Sequence, residues 1–287
     1  MYPKTLKYVK AKSVRDAILA LSQDENARFI AGGQSIMPML KLRLMEPSIL
    51  VDISELPELR NVKVDGDYLI IGSMVKHHEV IDNQAIRENL PMLSTTAEHI
   101  ADVQIRNRGT IGGSICEADP SADYLPTLIA LDAEITLESS DSSRTVSVEE
   151  FIAGPYETTI EPGEILTSVK IKKNTLPFVV EKYATRAADF AVSSIAAIVD
   201  VKVRGKVSDI RIVVGAQDGK PERLKNLENS LRGTSLTREV ILKKVEAISD
   251  ELDPINDIHG GSEYRRQVTL NLLVNRLDRI INGVDSK

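Results

Sequence analysis

The chain has 287 residues, 42% of them hydrophobic and 27% charged, with a formal charge of −6, a globular composition long enough for two domains. Acidic and basic residues are interspersed, so no basic stripe exists to neutralise a nucleic-acid backbone, and no apolar run approaches the roughly 20 residues of a membrane span. Cys116 is the only cysteine, which excludes an internal disulfide and an iron–sulfur cluster held by this chain alone, since such clusters take several cysteines.

The N-terminal stretch MYPKTLKYVKAKS lacks the apolar centre of a signal peptide, so a cytoplasmic protein is expected. Ser13 with Asp16 after it resembles a capping box, and Val14, Ala17, Ile18 and Leu21 then fall at helical spacing. ARFIAGG reads as a short buried strand running into a glycine pair, and SILVDIS (48–54) as a second strand after a helix or loop around MPMLKLR. Together these make a small α/β unit.

From residue 59 the texture changes. LRNVKV, a DGD turn and YLIIGS predict a hairpin, because Asp-Gly supplies the positive φ of a tight turn. VKHHEVI, LPMLSTTAEHIAD and SADYLPTLIALDA carry helical periodicity, whereas AEITLES, RTVSV and EILTSVKI favour strands. KKNTLP (172–177) is polar, aperiodic and ends in proline, the best linker candidate. Beyond it SSIAAIVDVKV, RGK and VSDIRIVVGA predict a second hairpin. The helical stretches LTREVILKKVEAISDEL and SEYRRQVTLNLLVNRLDRIING follow, the latter with Tyr264, Val268, Leu272, Leu273 and Leu277 as its buried stripe. The irregular alternation is that of an α+β fold. His77, His78, His99 and His259 show no metal-ligand spacing, and no metal site is expected.

Two glycine pairs punctuate this order: AGGQS at 31–35 and GTIGGS at 109–114, each following an apolar run and each trailed by a serine. Without a Cβ, backbone amides can converge on an anion, and a following hydroxyl adds a hydrogen bond. Two such turns could cradle a pyrophosphate from both sides. Neither is a GxxxxGK[ST] loop or a GxGxxG fingerprint, so the reader would be of another type.

AGGQSIMPMLKLR, then QIRNRGTIGGSICEADPSADYLPTLIALDA, then EKYATRAADFAVSSIAAI at 181–198 resemble, in order and end to end, the FAD-binding medium subunit of the molybdenum hydroxylases. That family includes xanthine dehydrogenase, carbon monoxide dehydrogenase and aldehyde oxidoreductase. The resemblance implies an α+β fold with a two-lobed FAD-binding domain of the PCMH type over 1–176, its lobes about 1–57 and 58–176. A C-terminal domain of antiparallel sheet and helical bundle would follow over 177–287.

By resemblance Ala31, Gly32, Gly33, Gln34 and Ser35 form one pyrophosphate turn and Thr110, Ile111, Gly112, Gly113 and Ser114 the other, Ser114 standing where many relatives have asparagine. Asp123 aligns with the acid that accepts from the cofactor's sugar or ribityl hydroxyls, or else it is a helix N-terminal charge. Leu166 and Lys182 match positions near the flavin ring or its polar edge, and Phe190 an aromatic against the isoalloxazine, or else a core residue. Arg106 and Arg108 are left out of the site, and Cys116 is read as a packed side chain near the cofactor rather than a nucleophile.

The family's chemistry would place the molybdenum cofactor in a large partner subunit and iron–sulfur clusters in a small one, in a dimer of heterotrimers. FAD here would relay electrons to an external acceptor. The substrate would be an aldehyde such as glyceraldehyde, carbon monoxide or an aromatic heterocycle, the aldehyde being preferred. The hydroxybenzoyl-CoA reductase branch adds a cysteine-rich cluster loop that this sequence has no cysteines to build. The alternatives are a self-sufficient flavin oxidoreductase and a non-catalytic scaffold subunit.

Overall fold

The structure, a computed structural model, describes residues 2–202 and 205–282, without the side chains of 281 and 282. Met1, part of the expected turn after VDVKV, and the end of the chain from Gly283 therefore lie outside the described residues.

The first unit is a parallel sheet of β1 (Lys7–Lys10), β2 (Arg28–Ile30) and β3 (Ile49–Asp52) in the order β1-β3-β2, with helices α1 (Val14–Leu21) and α2 (Ile36–Leu42) in the crossovers. Ser13 caps α1 by accepting the Asp16 amide at 3.0 Å, while the Asp16 carboxylate accepts the Lys12 amide at 2.8 Å. The reciprocal bond of the expected capping box thus falls one residue earlier. β3 is central and buries Ile49, Leu50 and Val51. β2, expected to be buried, is instead a partly exposed edge strand: it pairs on one side only, and Phe29 faces a cavity.

The second unit starts with the hairpin β4 (Val62–Asp65) and β5 (Tyr68–Gly72), then six short helices: α3 (His77–Asp82), α4 (Gln84–Asn89), α5 (Pro91–Glu98), α6 (Val103–Arg106), α7 (Ile111–Glu117) and α8 (Tyr124–Ala130). The chain returns through β6 (Glu134–Glu138), β7 (Ser143–Ser147), α9 (Val148–Phe151), β8 (Ile152–Gly154), β9 (Glu157–Thr158) and β10 (Ile165–Lys172). The antiparallel sheet runs β4-β5-β10-β6-β7, and β10 reaches the middle although it comes last. Leu69, Ile71, Leu93, Leu125, Leu128, Phe151 and Val169 are fully buried between sheet and helices, each worth about 1.5–3 kcal/mol relative to exposure.

Residues 173–177 connect onward, with the Lys173 and Asn174 amides donating to the Asp67 and Asn89 carbonyls at 2.9 and 2.8 Å. The antiparallel sheet β11 (Phe178–Tyr183), β12 (Ser193–Lys202), β13 (Lys206–Gly215) and β14 (Glu222–Arg223) follows in chain order, with α10 (Lys225–Leu231), α11 (Arg238–Glu246) and α12 (Ser262–Asn282) against it. Ala196, Ile198 and Val213 join the core of the second unit, while Ile195, Ala197, Val199, Ile212 and Val214 join that of the helices. Both faces of β12 are therefore covered, which is why SSIAAIV is a continuous apolar run rather than an alternating one.

α12 departs from its expected stripe. Leu273 and Leu277 are buried, but Tyr264 is 47% exposed and Val268 and Leu272 are half-buried. The buried row is Arg265, Thr269, Leu273, Leu277 and Ile280, headed by an arginine that no apolar pattern would include.

Candidate functional site

The end of β2 delivers the first glycine turn and the approach to α7 delivers the second, and the two touch. A Cβ on Gly32 would overlap the Arg108 carbonyl oxygen and stand 2.8 Å from the Gly109 Cα, so the close approach requires glycine there. Gly33 adopts φ +76°, the left-handed conformation that turns the chain into α2.

The two turns spend their amides differently. At 109–114 the backbone is already occupied: Ile111 N donates to Val75 O at 3.0 Å, Gly112 N to Ser73 O at 2.9 Å, Gly113 N to Thr110 Oγ1 at 3.1 Å and Ser114 N to Thr110 O at 3.0 Å. A Cβ on Gly112 would lie 2.7 Å from the Ser73 carbonyl oxygen, so this glycine seats α7 against β5. At 32–36, by contrast, no backbone amide has an acceptor among the described residues, and the Gln34 side chain donates to Gly32 O at 2.9 Å. Free donors thus lie on the first turn, and the Ser35 and Ser114 hydroxyls add two more without a partner among the described residues.

A cavity of about 510 Å³ opens between these turns. Ala31, Gly32, Gly33, Gln34 and Ser35 line it, as do Thr110, Gly112, Gly113 and Ser114, and Asp123, Leu166, Lys182 and Phe190 from farther along the chain. Ile111 alone among the sequence candidates is not brought there: its side chain is fully buried in the core of the second unit.

Asp123 precedes α8 but makes no capping hydrogen bond. Its Oδ2 instead accepts from Lys182 Nζ of β11 at 2.9 Å, and the same ammonium donates to His99 O at 3.1 Å. The two side chains are 9% and 10% exposed, and Asp123 Oδ1 has no hydrogen-bond partner among the described residues. Burial pushes the Asp123 carboxyl up to about 6 despite the neighbouring Lys182 ammonium. Leu166 sits at the register shift of β10, 3% exposed. Phe190 is 66% exposed, so the core reading of this residue does not hold.

Several lining residues lay outside the sequence reading. Phe29, Ile53 and Met74 make an apolar wall, and Ile100, Ala101 and Ile105 another. Phe29 adjoins the AGG motif, a signal that pointed to it; nothing in the sequence singled out the others. Ala101 is held at φ +40° with its carbonyl taken, like that of Ile100, by Arg106 Nη1 at 2.8 and 2.9 Å, so Arg106 braces the wall. Glu117 and Asp119 add negative charge, and burial, then the Asp119 charge, pushes the Glu117 carboxyl up to about 7. Cys116 lines the same concave space and is exposed to it rather than packed as expected; the protein around it, with the Glu117 charge second, pushes its thiol up to about 12, away from the thiolate. His77 is 5% exposed and burial holds its imidazole down to about 4, the Arg106 charge contributing.

Two glycine turns that wall one cavity in an α+β chain, with neither a P-loop nor the GxGxxG turn, set this site apart from the P-loop and Rossmann classes of phosphate-binding protein. Residues 4–172 match the FAD binding domain in molybdopterin dehydrogenase, and residues 179–280 the CO dehydrogenase flavoprotein C-terminal domain. The chain is 35% identical to the glyceraldehyde dehydrogenase medium chain of Sulfolobus acidocaldarius, over 93% of this chain and 95% of that one. It is 32% identical to the carbon monoxide dehydrogenase medium chain of Hydrogenophaga pseudoflava, over 92% and 93%. A chain of quinoline 2-oxidoreductase from Pseudomonas putida 86 superposes with a TM-score of 0.95 at 30% identity, covering 99% of both. The chain belongs to the FAD-binding medium subunits of the molybdenum hydroxylases, and is an oxidoreductase subunit.

Proposed function

We propose that this chain is the electron outlet of a multi-subunit molybdenum dehydrogenase. It would receive electrons from iron–sulfur clusters of a small partner subunit and pass them to an external acceptor, while substrate is oxidised in a large molybdenum-cofactor subunit. The observation that carries the reading is the first turn: amides at 32–36 without an acceptor among the described residues, in a turn that packs against the second and with it lines a cavity built by residues from all three units. A diphosphate is the ligand such donors suit, since it accepts several charge-assisted hydrogen bonds without needing a cation. Among the residues lining the cavity Lys182 is the only lysine or arginine, and it is already paired with Asp123.

The residues present therefore fit FAD. Ala31 to Ser35 would hold the diphosphate; Gly113 would leave it room and Ser114 would offer a hydroxyl, with Thr110 and Ile111 holding the second turn in place. Asp123 Oδ1 would accept from sugar or ribityl hydroxyls, Leu166 and Lys182 would border the ring, and Phe190 would cover it. FAD, when bound, supplies one-electron and two-electron redox chemistry. The chain itself would position the ring, and it needs no acid or base to act on substrate. A division near 172–177 would separate the FAD-binding domain from the C-terminal domain.

The likeness to a glyceraldehyde dehydrogenase medium chain favours an aldehyde such as glyceraldehyde over carbon monoxide as the substrate of the complex. A cytoplasmic dimer of heterotrimers is the expected assembly. Co-expression of the chain with candidate large and small subunits tests this. A co-purifying complex that contains FAD and reduces a dye with glyceraldehyde supports the proposal. Turnover by the isolated chain, or a chain that never acquires FAD in any assembly, refutes it.

A further inference from the structure

Phe190 stands at the cavity mouth on a stretch that does little to support itself. Between β11 and β12 the residues 185–190 are all exposed, and their one internal backbone bond runs from Asp189 N to Arg186 O at 3.2 Å. Ala188 is held at φ +75°, a conformation an L-residue adopts only when its surroundings impose it. The Phe190 ring is not locked by packing. The loop is fixed at its neck: Val192 N donates to Tyr183 O at 2.8 Å, and Ala191 and Val192 are buried just beyond Phe190.

Two consecutive residues of α12 grip that neck. Arg265, 1% exposed, donates from Nη1 to Val192 O at 2.7 Å and to Ala191 O at 3.3 Å, from Nη2 to Asp257 Oδ1 at 2.6 Å and from Nε to Gly260 O at 3.3 Å. The Tyr264 hydroxyl donates to that of Tyr183, on the other side of the neck, at 3.1 Å. A buried guanidinium is a poor way to add stability, because its desolvation offsets most of what its partners return. Its planar fork is well suited to fixing two consecutive carbonyls in space.

We propose that Arg265, assisted by Tyr264, is a positioning residue that sets where Phe190 lies over the cavity mouth. Without the guanidinium the Ala191 and Val192 carbonyls lose their donor, the neck loosens, and Phe190 ceases to shield what the cavity holds. The glycine turns, which Arg265 does not touch, stay intact. The inference rests on the reading of the cavity as the FAD site.

The test uses the full chain, or its complex, loaded with FAD, as wild type and as Arg265→Met, Tyr264→Phe, Phe190→Ala and Arg265→Met/Phe190→Ala. Leu273→Ala, a core truncation on the same helix, controls for mere destabilisation. The readouts are iodide quenching of flavin fluorescence, the visible circular dichroism of the flavin, and the rate of tryptic cleavage after Arg186. Arg265→Met is expected to raise the quenching constant several-fold, close to the Phe190→Ala value, to keep FAD stoichiometry, and to speed cleavage after Arg186 by an order of magnitude. Tyr264→Phe should do the same more weakly, the double variant should exceed neither parent, and Leu273→Ala should lower Tm without changing quenching. Wild-type quenching in Arg265→Met, or a double variant in which the two effects add, overturns the proposal. Should Arg265→Met fail to fold, wild-type quenching in Tyr264→Phe overturns it equally. If the wild type itself binds no FAD, the reading of the cavity has failed instead, and unchanged cleavage after Arg186 then decides against the clasp independently.

Discussion

Gly32 lies flat against the backbone of Arg108 and Gly109, so near that a side chain at this position would strike the Arg108 carbonyl oxygen. That contact joins two glycine turns remote in sequence into one wall of the cavity. Gly32→Ala should therefore push the turns apart, since backbone rather than a flexible side chain is in the way. Overpacking of this kind costs about 1–3 kcal/mol. A lower Tm together with loss of bound FAD, read from the flavin absorbance of the purified protein, is the expected result, and a fully loaded Gly32→Ala variant would separate the turns from the site.

Gly113 offers the contrasting case. A Cβ there meets only Thr110 Oγ1 at 2.9 Å and Ala31 Cβ at 3.9 Å, the rest of its surroundings being open. Gly113→Val should disturb the Thr110 cap, worth about 1 kcal/mol, and otherwise fill space between the turns. The variant is expected to fold, with near-native far-UV circular dichroism, and to purify without yellow colour. Retention of FAD would show that nothing needs the room beside Gly113.

These two positions show what was legible beforehand. Both turns could be found from the residues alone, because paired glycines trailed by a serine are a local pattern, and so could the strand β2 that runs into the first; the short helices α6 and α7 that carry the second could not. Which amides remain free could not: that depends on Val75 and Ser73 of another segment accepting from Ile111 and Gly112. Ile111 was named with its neighbours because a motif names consecutive residues, whereas α7 turns this side chain into the core. β2 looked buried because the sheet order that makes it an edge is a tertiary fact. Arg265 was invisible for a related reason, since hydropathy assigns an arginine to the surface until its acceptors are placed around it.

The pair of Lys182 and Asp123 spans from β11 to the start of α8 and is almost dry on both sides. Removing the lysine leaves a buried carboxylate, and breaking such a pair costs about 3–5 kcal/mol if the charge remains. Asp123 can escape by protonating. Burial already raises its carboxyl to about 6 from the ordinary 3.8, so its contribution to stability is present below about 3.8 and is lost as pH rises through 6. Lys182→Met should accordingly be more damaging at pH 8 than at pH 5.5, as Tm measurements at the two values would reveal. Lys182→Met/Asp123→Asn should recover stability at pH 8 without recovering FAD. An equal loss at both pH values would mean that the pair is not electrostatically coupled to folding.

Glu117 and His77 line the same cavity with opposite pH behaviour. Glu117, raised by burial from 4.5 to about 7, keeps a proton in the folded state that the unfolded chain releases, so its contribution is lost as pH rises from about 4.5 to 7. His77, held by burial at about 4 instead of 6.5, refuses a proton that the unfolded chain takes up, so its contribution is lost as pH falls from about 6.5 to 4. The His77 slope amounts to about 3 kcal/mol over its window, and that of the half-buried Glu117, screened by water in the cavity, to about 1–2 kcal/mol. Across pH 4.5–6.5 they oppose one another, and Glu117 offsets part of the His77 slope in the wild type. Single substitutions should expose them: Glu117→Gln should make the protein lose more stability on acidification from pH 6.5 to 5, and His77→Gln should make it lose less or gain. Urea titrations at pH 5 and 6.5 measure both. Responses of the same sign in the two variants would mean that at least one of these side chains is solvated in the folded protein.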